Sequence, residues 1–419
     1  MTNIVLVVAD DMRQSLMQEM NKVPGTRFTA AHNSNPVCGA ARTSILTGNY
    51  SKTTRCWGNG PPDGGFDIFD DTDTLASRLA AAGFHCGHFG KYINDYNPDN
   101  AAHVPPGWER WWAITADGDK YYGYQVSDDG TNVTYGSDTN DYLTDVINGL
   151  SCEFIASAPE PFFAYITPTA PHKDALPAPR HQSILQHEPF SPPNLNEADV
   201  SDKPQWVKNK ALLTVDELQE QKELRLKMRR CLLSVDDMVE DVINTLTMRG
   251  IIDNTIFIFV SDNGYMWGEH RCTGKSVPYR EATRMPMVVR APMLMNNPNT
   301  GALISIVDIA PTLLRAVGGD ESGMDGHFLQ NVFQGLPGPS SLYCEHQEQG
   351  NTPAWANVIK QSWTYTWYGN AGEELYDIVA DPYQLNNVVS SKPTTRATMK
   401  QECHDLMAGS PPPGMVALP

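Results

Sequence analysis

Two runs of the chain show no polar alternation at all. Residues 4–8 (Ile-Val-Leu-Val-Val) and 255–260 (Thr-Ile-Phe-Ile-Phe-Val) are β-branched and aromatic throughout, the pattern of strands covered on both faces inside a parallel sheet. Each stops abruptly in acceptor side chains, Asp10-Asp11 after the first and Asp262-Asn263-Gly264 after the second. Apolar runs at 84–92, 162–166 and 285–289 predict further strands, and the first two lead into Lys91 and His172. Helical spacing predicts helices over 74–82, closed by Gly83, over 142–156, over 215–248 with a break near Ser234, and over 304–317. Residues 181–210, rich in Pro, Asn and Gln, read as a long loop covering a site, and 326–341, rich in Gly and Pro, as a linker. Beyond it the alternation suits antiparallel strands. The pattern is that of an α/β protein: a large mixed, mostly parallel sheet flanked by helices over 1–330, and a smaller C-terminal antiparallel sheet subdomain over 331–419.

In an open α/β sheet, ligands bind beyond the carboxyl ends of the strands, where Asp10, Asp11, Asp262 and Asn263 fall. Adjacent carboxylates repel unless a cation holds them, and hard divalent ions take oxygen ligands, so the four suit one metal cage. The bland alternatives are a cap for the next helix at Asp10-Asp11 and an Asx turn with Gly264 at Asp262-Asn263. A third stretch, 35–48, sets Cys38 four residues before Arg42 at a predicted helix start. A helix N-terminus lowers a thiol pKa and attracts an oxyanion, which makes Cys38 a candidate nucleophile and Arg42 its cationic neighbour. The alternative is a small buried cysteine. Gly268-Glu269-His270-Arg271 and Gly274-Lys275 add a cationic loop directly after the second acceptor pair.

Composition narrows the classes of partner. The 419 residues suit one large domain with a smaller one, and 41% hydrophobic with 19% charged residues is an ordinary globular balance without a run long enough to span a membrane. A net charge of -18 excludes general attraction to nucleic acid or an anionic membrane, so an anionic substrate needs a local cationic pocket. Eight cysteines without a C-x-x-C pair argue for free thiols rather than a zinc site or disulfide scaffold. The chain opens on its first strand with no basic and apolar leader, so it reads as cytoplasmic as written, or as exported with its signal removed.

The run C-x-A-x-R at Cys38–Arg42, followed by Ile45-Leu46-Thr47-Gly48, resembles the signature of type I, formylglycine-dependent sulfatases of the alkaline phosphatase superfamily. That family usually has Pro where Ala40 stands and often Ser where Ala41 stands. Gly90-Lys91-Tyr92-Ile93-Asn94, His103-Val104-Pro105-Pro106-Gly107-Trp108 and Gly268-Glu269-His270-Arg271 resemble its N-acetylglucosamine-6-sulfatase branch most, and Glu374-Leu375-Tyr376-Asp377-Ile378 resembles the family's C-terminal block. The family pattern continues past Lys275 as Tyr-Glu-Glu, where this chain has Tyr279-Arg280-Glu281.

The resemblance implies hydrolysis of a sulfate monoester, with a carbohydrate as the expected bearer. It implies that Cys38 is oxidised to formylglycine by a formylglycine-generating enzyme, and that one hydroxyl of the aldehyde hydrate attacks sulfur while the other later expels sulfate. It further implies Ca²⁺, or Mg²⁺, held by Asp10, Asp11, Asp262, Asn263 and modified Cys38. Arg42 and Lys275 are expected on the nucleophile and sulfate oxygens, Lys91 on the sulfate and His172 on the leaving oxygen. Asn94, His270 and Arg271 are expected at the sugar. Trp108, Trp111 and Trp112 read either as a flat wall for its ring or as core residues. The alternatives are a phosphodiesterase or phosphonate monoester hydrolase on the same fold, and a non-catalytic metal-containing binding protein with unmodified Cys38.

Overall fold

The computed structural model describes residues 2–116 and 120–415. Within them nine strands form one sheet in the order Thr26–Phe28, Met287–Arg290, Thr255–Ser261, Asn3–Ala9, Phe162–Thr167, His85–Gly90, Arg110–Ala116, Gln125–Asp128 and Thr131–Thr134. The strands from Thr255–Ser261 to Arg110–Ala116 run parallel, and Met287–Arg290 and Gln125–Asp128 join them antiparallel. The two unbroken apolar runs are neighbours at the centre, each buried throughout, as strands covered on both faces must be.

Their alternate side chains feed two cores. Ile4, Leu6 and Val8 pack with Ile256, Ile258 and Val260 on the face covered by the helices Cys38–Thr47, Leu75–Ala81 and Ile309–Ala316. Val5, Val7 and Ala9 pack with Phe257 and Phe259 on the other face, under Leu143–Ser157 and Val215–Met248.

Three local expectations are corrected. The helix Val215–Met248 runs 34 residues without a break at Ser234. A serine costs only tenths of a kcal/mol in a helix interior, and the buried stripe from Leu226 to Leu246 carries the helix through it. Thr214 caps its start, accepting from Glu217 N at 3.2 Å. Residues 304–317 do not begin as helix: Leu303–Ser305 pairs with Ala30–His32 as a parallel strand before the helix starts at Ile309. The Gly- and Pro-rich segment is no free linker, because Leu329, Val332 and Phe333 sink into the main core, with Phe333 at 6.2 Å from Phe28.

The C-terminal sheet is antiparallel, as expected, in the order Leu342–His346, Trp355–Ile359, Trp363–Trp367 and Glu373–Asp377. The helix Pro393–Met407 covers one face through Met399, Cys403 and Met407.

Candidate active site

Register brings the two acceptor pairs together. Ala9 lies opposite Ser261 in the parallel ladder, so the strands end side by side. Asp262 N then bonds Ala9 O at 3.1 Å, and Asp262 Oδ1 accepts from Asp11 N at 3.1 Å and Asn263 N at 2.7 Å. Asp11 adopts φ of 64°, a left-handed turn that Asp tolerates better than most residues.

The helix Cys38–Thr47 enters this edge with Cys38 as its first residue. Cys38 Sγ lies 3.2 Å from Asp10 Oδ1 and 3.9 Å from Asp11 Oδ1. Gly39 permits the approach, because a Cβ there would stand 2.5 Å from the Gly58 carbonyl oxygen. Its N–H instead bonds Asn59 Oδ1 at 2.8 Å.

The cations arrive from three elements. Arg42, one helical turn past Cys38 and fully buried, sets Nε 3.0 Å from Asp262 Oδ2 and Nη2 3.8 Å from Asp10 Oδ2. Its Nη1 bonds Lys91 O at 2.9 Å. Lys91, at the end of His85–Gly90, reaches Asp10 Oδ2 at 2.6 Å. Lys275 lies 2.6 Å from Cys38 Sγ and also pairs with Asp11 Oδ1. His172 stands 3.6 Å from Asp11 Oδ2 through Nε2 and 3.1 Å from Asp174 through Nδ1.

Electrostatics correct one expectation. Burial first, and then the charge of Asp10, push the Cys38 thiol up to about 12, outweighing Lys275 and Lys91. A plain thiol there is protonated at neutral pH. Burial opposes ionisation of Asp10, but Lys91, His172, Arg42 and Lys275 together hold it well below the carboxylate range. Burial and the Asp10 charge raise Asp262. Burial disfavours the Lys275 charge, yet Asp11 and Cys38 raise it well above the ordinary lysine value.

The donor set fits a divalent cation. Ligand atoms from Asp10, Asp11, Cys38 and Asp262 all lie within 4.8 Å of one another. Asp11 Oδ2 and Asn263 Oδ1 are buried without a hydrogen-bond partner, the kind of orphaned acceptors that a hard cation satisfies.

The cage opens into a polar cavity of about 420 Å³ lined by Asp11, His172 and Lys275 together with Asn59, Lys173 and Gln349. Sequence reading missed the last three. Lys173 stood next to a singled-out histidine, whereas Asn59 and Gln349 sit in loops with no motif, and Gln349 arrives from the C-terminal sheet region.

Some expected site residues lie elsewhere. His270 is buried between Glu197, 2.6 Å from Nδ1, and Asn194, 3.1 Å from Nε2, and it stacks on Tyr279 at 4.1 Å. Arg271 donates to the carbonyls of Glu197, Lys210 and Ala198 at 2.8–2.9 Å. Both tie the 194–210 loop to the loop carrying Lys275, and neither lines the cavity. Trp111 and Trp112 are fully buried on opposite faces of the sheet, and Trp108 stacks on Phe163 and Tyr165, so the three are core rather than a sugar wall. Asn94 is half-buried, three residues past Lys91, with Oδ1 unpartnered.

This arrangement has relatives. Residues 2–319 match the family model Sulfatase, and 268–408 match the model N-sulphoglucosamine sulphohydrolase, C-terminal. The chain belongs to the sulfatase family. It is 28% identical to the N-acetylglucosamine-6-sulfatase of Homo sapiens, over 96% of this chain and 84% of that protein. It is 25% identical to the N-acetylglucosamine-6-O-sulfatase of Bacteroides thetaiotaomicron, over 92% and 82% of the two. Its fold is shared with a solved structure in complex with its substrate D-glucosamine-2-N,6-O-disulfate, at TM-score 0.82 and 21% identity, covering 97% of each chain. It is shared too with the phosphonate monoester hydrolase of Agrobacterium radiobacter, at TM-score 0.75 and 18% identity over 97% and 96% of the chains.

Proposed function

We propose that this chain hydrolyses a sulfate monoester carried by a carbohydrate. The observation that carries the reading is the convergence of Asp10, Asp11, Cys38 and Asp262 within 4.8 Å of one another, with Arg42, Lys91 and Lys275 on their oxygen and sulfur atoms. Three carboxylates against three fixed cations leave an edge that, with one dication in place, carries a net positive charge toward a monoanionic sulfate ester.

Asp10, Asp11, Asp262 and Asn263, with the modified side chain at position 38, would hold Ca²⁺ or Mg²⁺. When bound, the cation offsets ester charge and the formylglycine hydrate supplies the oxygen nucleophile. The protein's own groups do the remainder. Lys275 holds the oxygen at position 38 and an adjacent sulfate oxygen. Lys91 neutralises a second sulfate oxygen as charge moves onto it. His172, kept in orientation by Asp174, gives its proton to the leaving sugar oxygen. Arg42 stays on Asp262 and fixes the carboxylate in place. The raised thiol pKa of Cys38 supports this reading over direct thiolate attack. Cys38 is 1% exposed, which supports a maturation enzyme acting on the chain before the sheet closes over it.

Similarity to the two glucosamine sulfatases along nearly the whole chain supports a sugar 6-sulfate as substrate. The test compares kcat/KM for glucosamine 6-sulfate, other sugar sulfates, an aryl sulfate, an aryl phosphodiester and an aryl phosphonate. A sugar sulfate turned over fastest is the expected result. Faster turnover of the phosphodiester or phosphonate than of every sulfate overturns the proposal and favours the hydrolase sharing the fold.

A further inference from the structure

We propose that the chain carries a second ligand site, a pocket of about 280 Å³ in which Arg280, Arg284 and His32 face an apolar wall of Leu303, Ile359 and Ile378, suited to a small organic anion with a flat apolar body. The pocket lies between the main sheet region and the C-terminal sheet, and it holds none of the residues assigned to hydrolysis.

Arg280 opens the short helix Arg280–Thr283 and Arg284 follows its end, four positions on, so both point to one side. Their bonds run to carbonyl oxygens: Arg280 Nη1 to Pro382, and Arg284 Nε to Thr29 at 2.8 Å. Among the described residues neither forms an ion pair with a carboxylate. The adjacent Glu281 turns to Asn194 instead, at 3.2 Å. Lys360, also in the wall, is already paired with Glu402 at 2.6 Å.

Two half-buried guanidiniums side by side, neither in an ion pair among the described residues, oppose each other. Burial and Arg280, opposed in part by Glu281, pull Arg284 down to about 10, so it remains charged at neutral pH. In a protein of net charge -18 most cations form ion pairs with carboxylates, whereas among the described residues this pair forms none, and the nearby Glu281 only partly offsets the Arg284 charge. The reversal of charge at position 280, where the sulfatase pattern has glutamate, creates the imbalance. His32 adds a further group. It bridges Arg284 across the backbone, is buried, and its Nδ1 has no partner. Burial, Arg284 and Arg280 drop its pKa to about 3, so the neutral ring offers a hydrogen bond rather than a charge. An oxyanion head between the guanidiniums satisfies them, and the apolar wall takes the rest of the molecule.

Calorimetry and ligand-observed NMR on the full chain with benzoate, benzenesulfonate and inorganic sulfate test this. Benzoate and benzenesulfonate bind the wild type, and Arg280→Glu weakens both by about tenfold or more while leaving kcat/KM for a sugar sulfate at the wild-type value. Lys91→Ala leaves their binding intact, which separates this pocket from the catalytic cavity. Arg280→Gln gives the same loss where charge reversal prevents folding. The inference is overturned by absent binding in the wild type, by unchanged affinity in both Arg280 variants, or by loss of binding in Lys91→Ala. Inorganic sulfate binding here as tightly as benzenesulfonate overturns the assignment of an apolar body.

Discussion

Removing Arg42 strikes the most deeply enclosed of the three cations at the site, its side chain 0% exposed against 15% for Lys91 and Lys275. Its guanidinium is fully buried, with Nε and Nη2 each 3.0 Å from Asp262 Oδ2. A unit charge pair at that distance is worth about 5 kcal/mol at an effective dielectric constant of about 20. Arg42→Ala also relieves the burial of the guanidinium itself, and breaking one partner of a buried pair costs about 3–5 kcal/mol net. The expected outcome in chelator is a fall in the urea midpoint equivalent to that cost, with loss of hydrolysis. Arg42→Lys keeps the charge without the planar fork and costs less. Combining Arg42→Ala with Asp262→Asn removes the uncompensated carboxylate, so the pair is less destabilised than the sum of the two single changes. Saturating Ca²⁺ restores part of the stability of Arg42→Ala. Strict additivity, or an Arg42→Ala midpoint equal to wild type, refutes the reasoning.

Four further outcomes follow from the same structure. Chelation lowers the melting temperature and abolishes hydrolysis, and Asp262→Ala removes metal measured by elemental analysis; undiminished activity in metal-free protein contradicts the cage. Mass spectrometry of the peptide spanning Cys38 in active enzyme shows formylglycine, and an alkylatable thiol in fully active protein contradicts it. Burial pushes Glu345 up to about 8, so the folded state binds a proton that the unfolded state releases near its ordinary value of about 4.3. Stability therefore falls as pH rises between those values, and Glu345→Gln flattens the fall; an unchanged slope of melting temperature against pH counts against it. Asn94→Ala loses more kcat/KM on sugar sulfates than on an aryl sulfate, and equal losses remove Asn94 from the sugar.

What the sequence made legible divides along physical lines. Strands covered on both faces announce themselves by continuous β-branched and aromatic residues, and their polar ends were readable because Asp10-Asp11 and Asp262-Asn263 break those runs so sharply. Which polar residues face the same space is set by backbone closure far away. His270 and Arg271 looked equivalent to Lys275 as cations on one loop, but left-handed φ values of 51° and 61° accompany their turn toward the 194–210 segment. Trp108, Trp111 and Trp112 carry the same side chains in a core as on a sugar wall, and only the pleat, which sends Trp111 and Trp112 to opposite faces, decides between them. The absent break at Ser234 teaches the reverse: a weak local preference yields to a long buried stripe.

The register of Ala9 against Ser261 also sets an order of events during synthesis. The hydrogen bond from the Asp11 N–H to the Asp262 carboxylate joins positions 251 apart, so more than half the chain is made before the first strand meets that neighbour. Until then Asn3–Ala9, apolar on both faces, offers a bare edge to any similar segment nearby. Slowed elongation before residue 255 therefore favours aggregation over activity, and no amino-terminal fragment ending short of Ser261 assembles the cage.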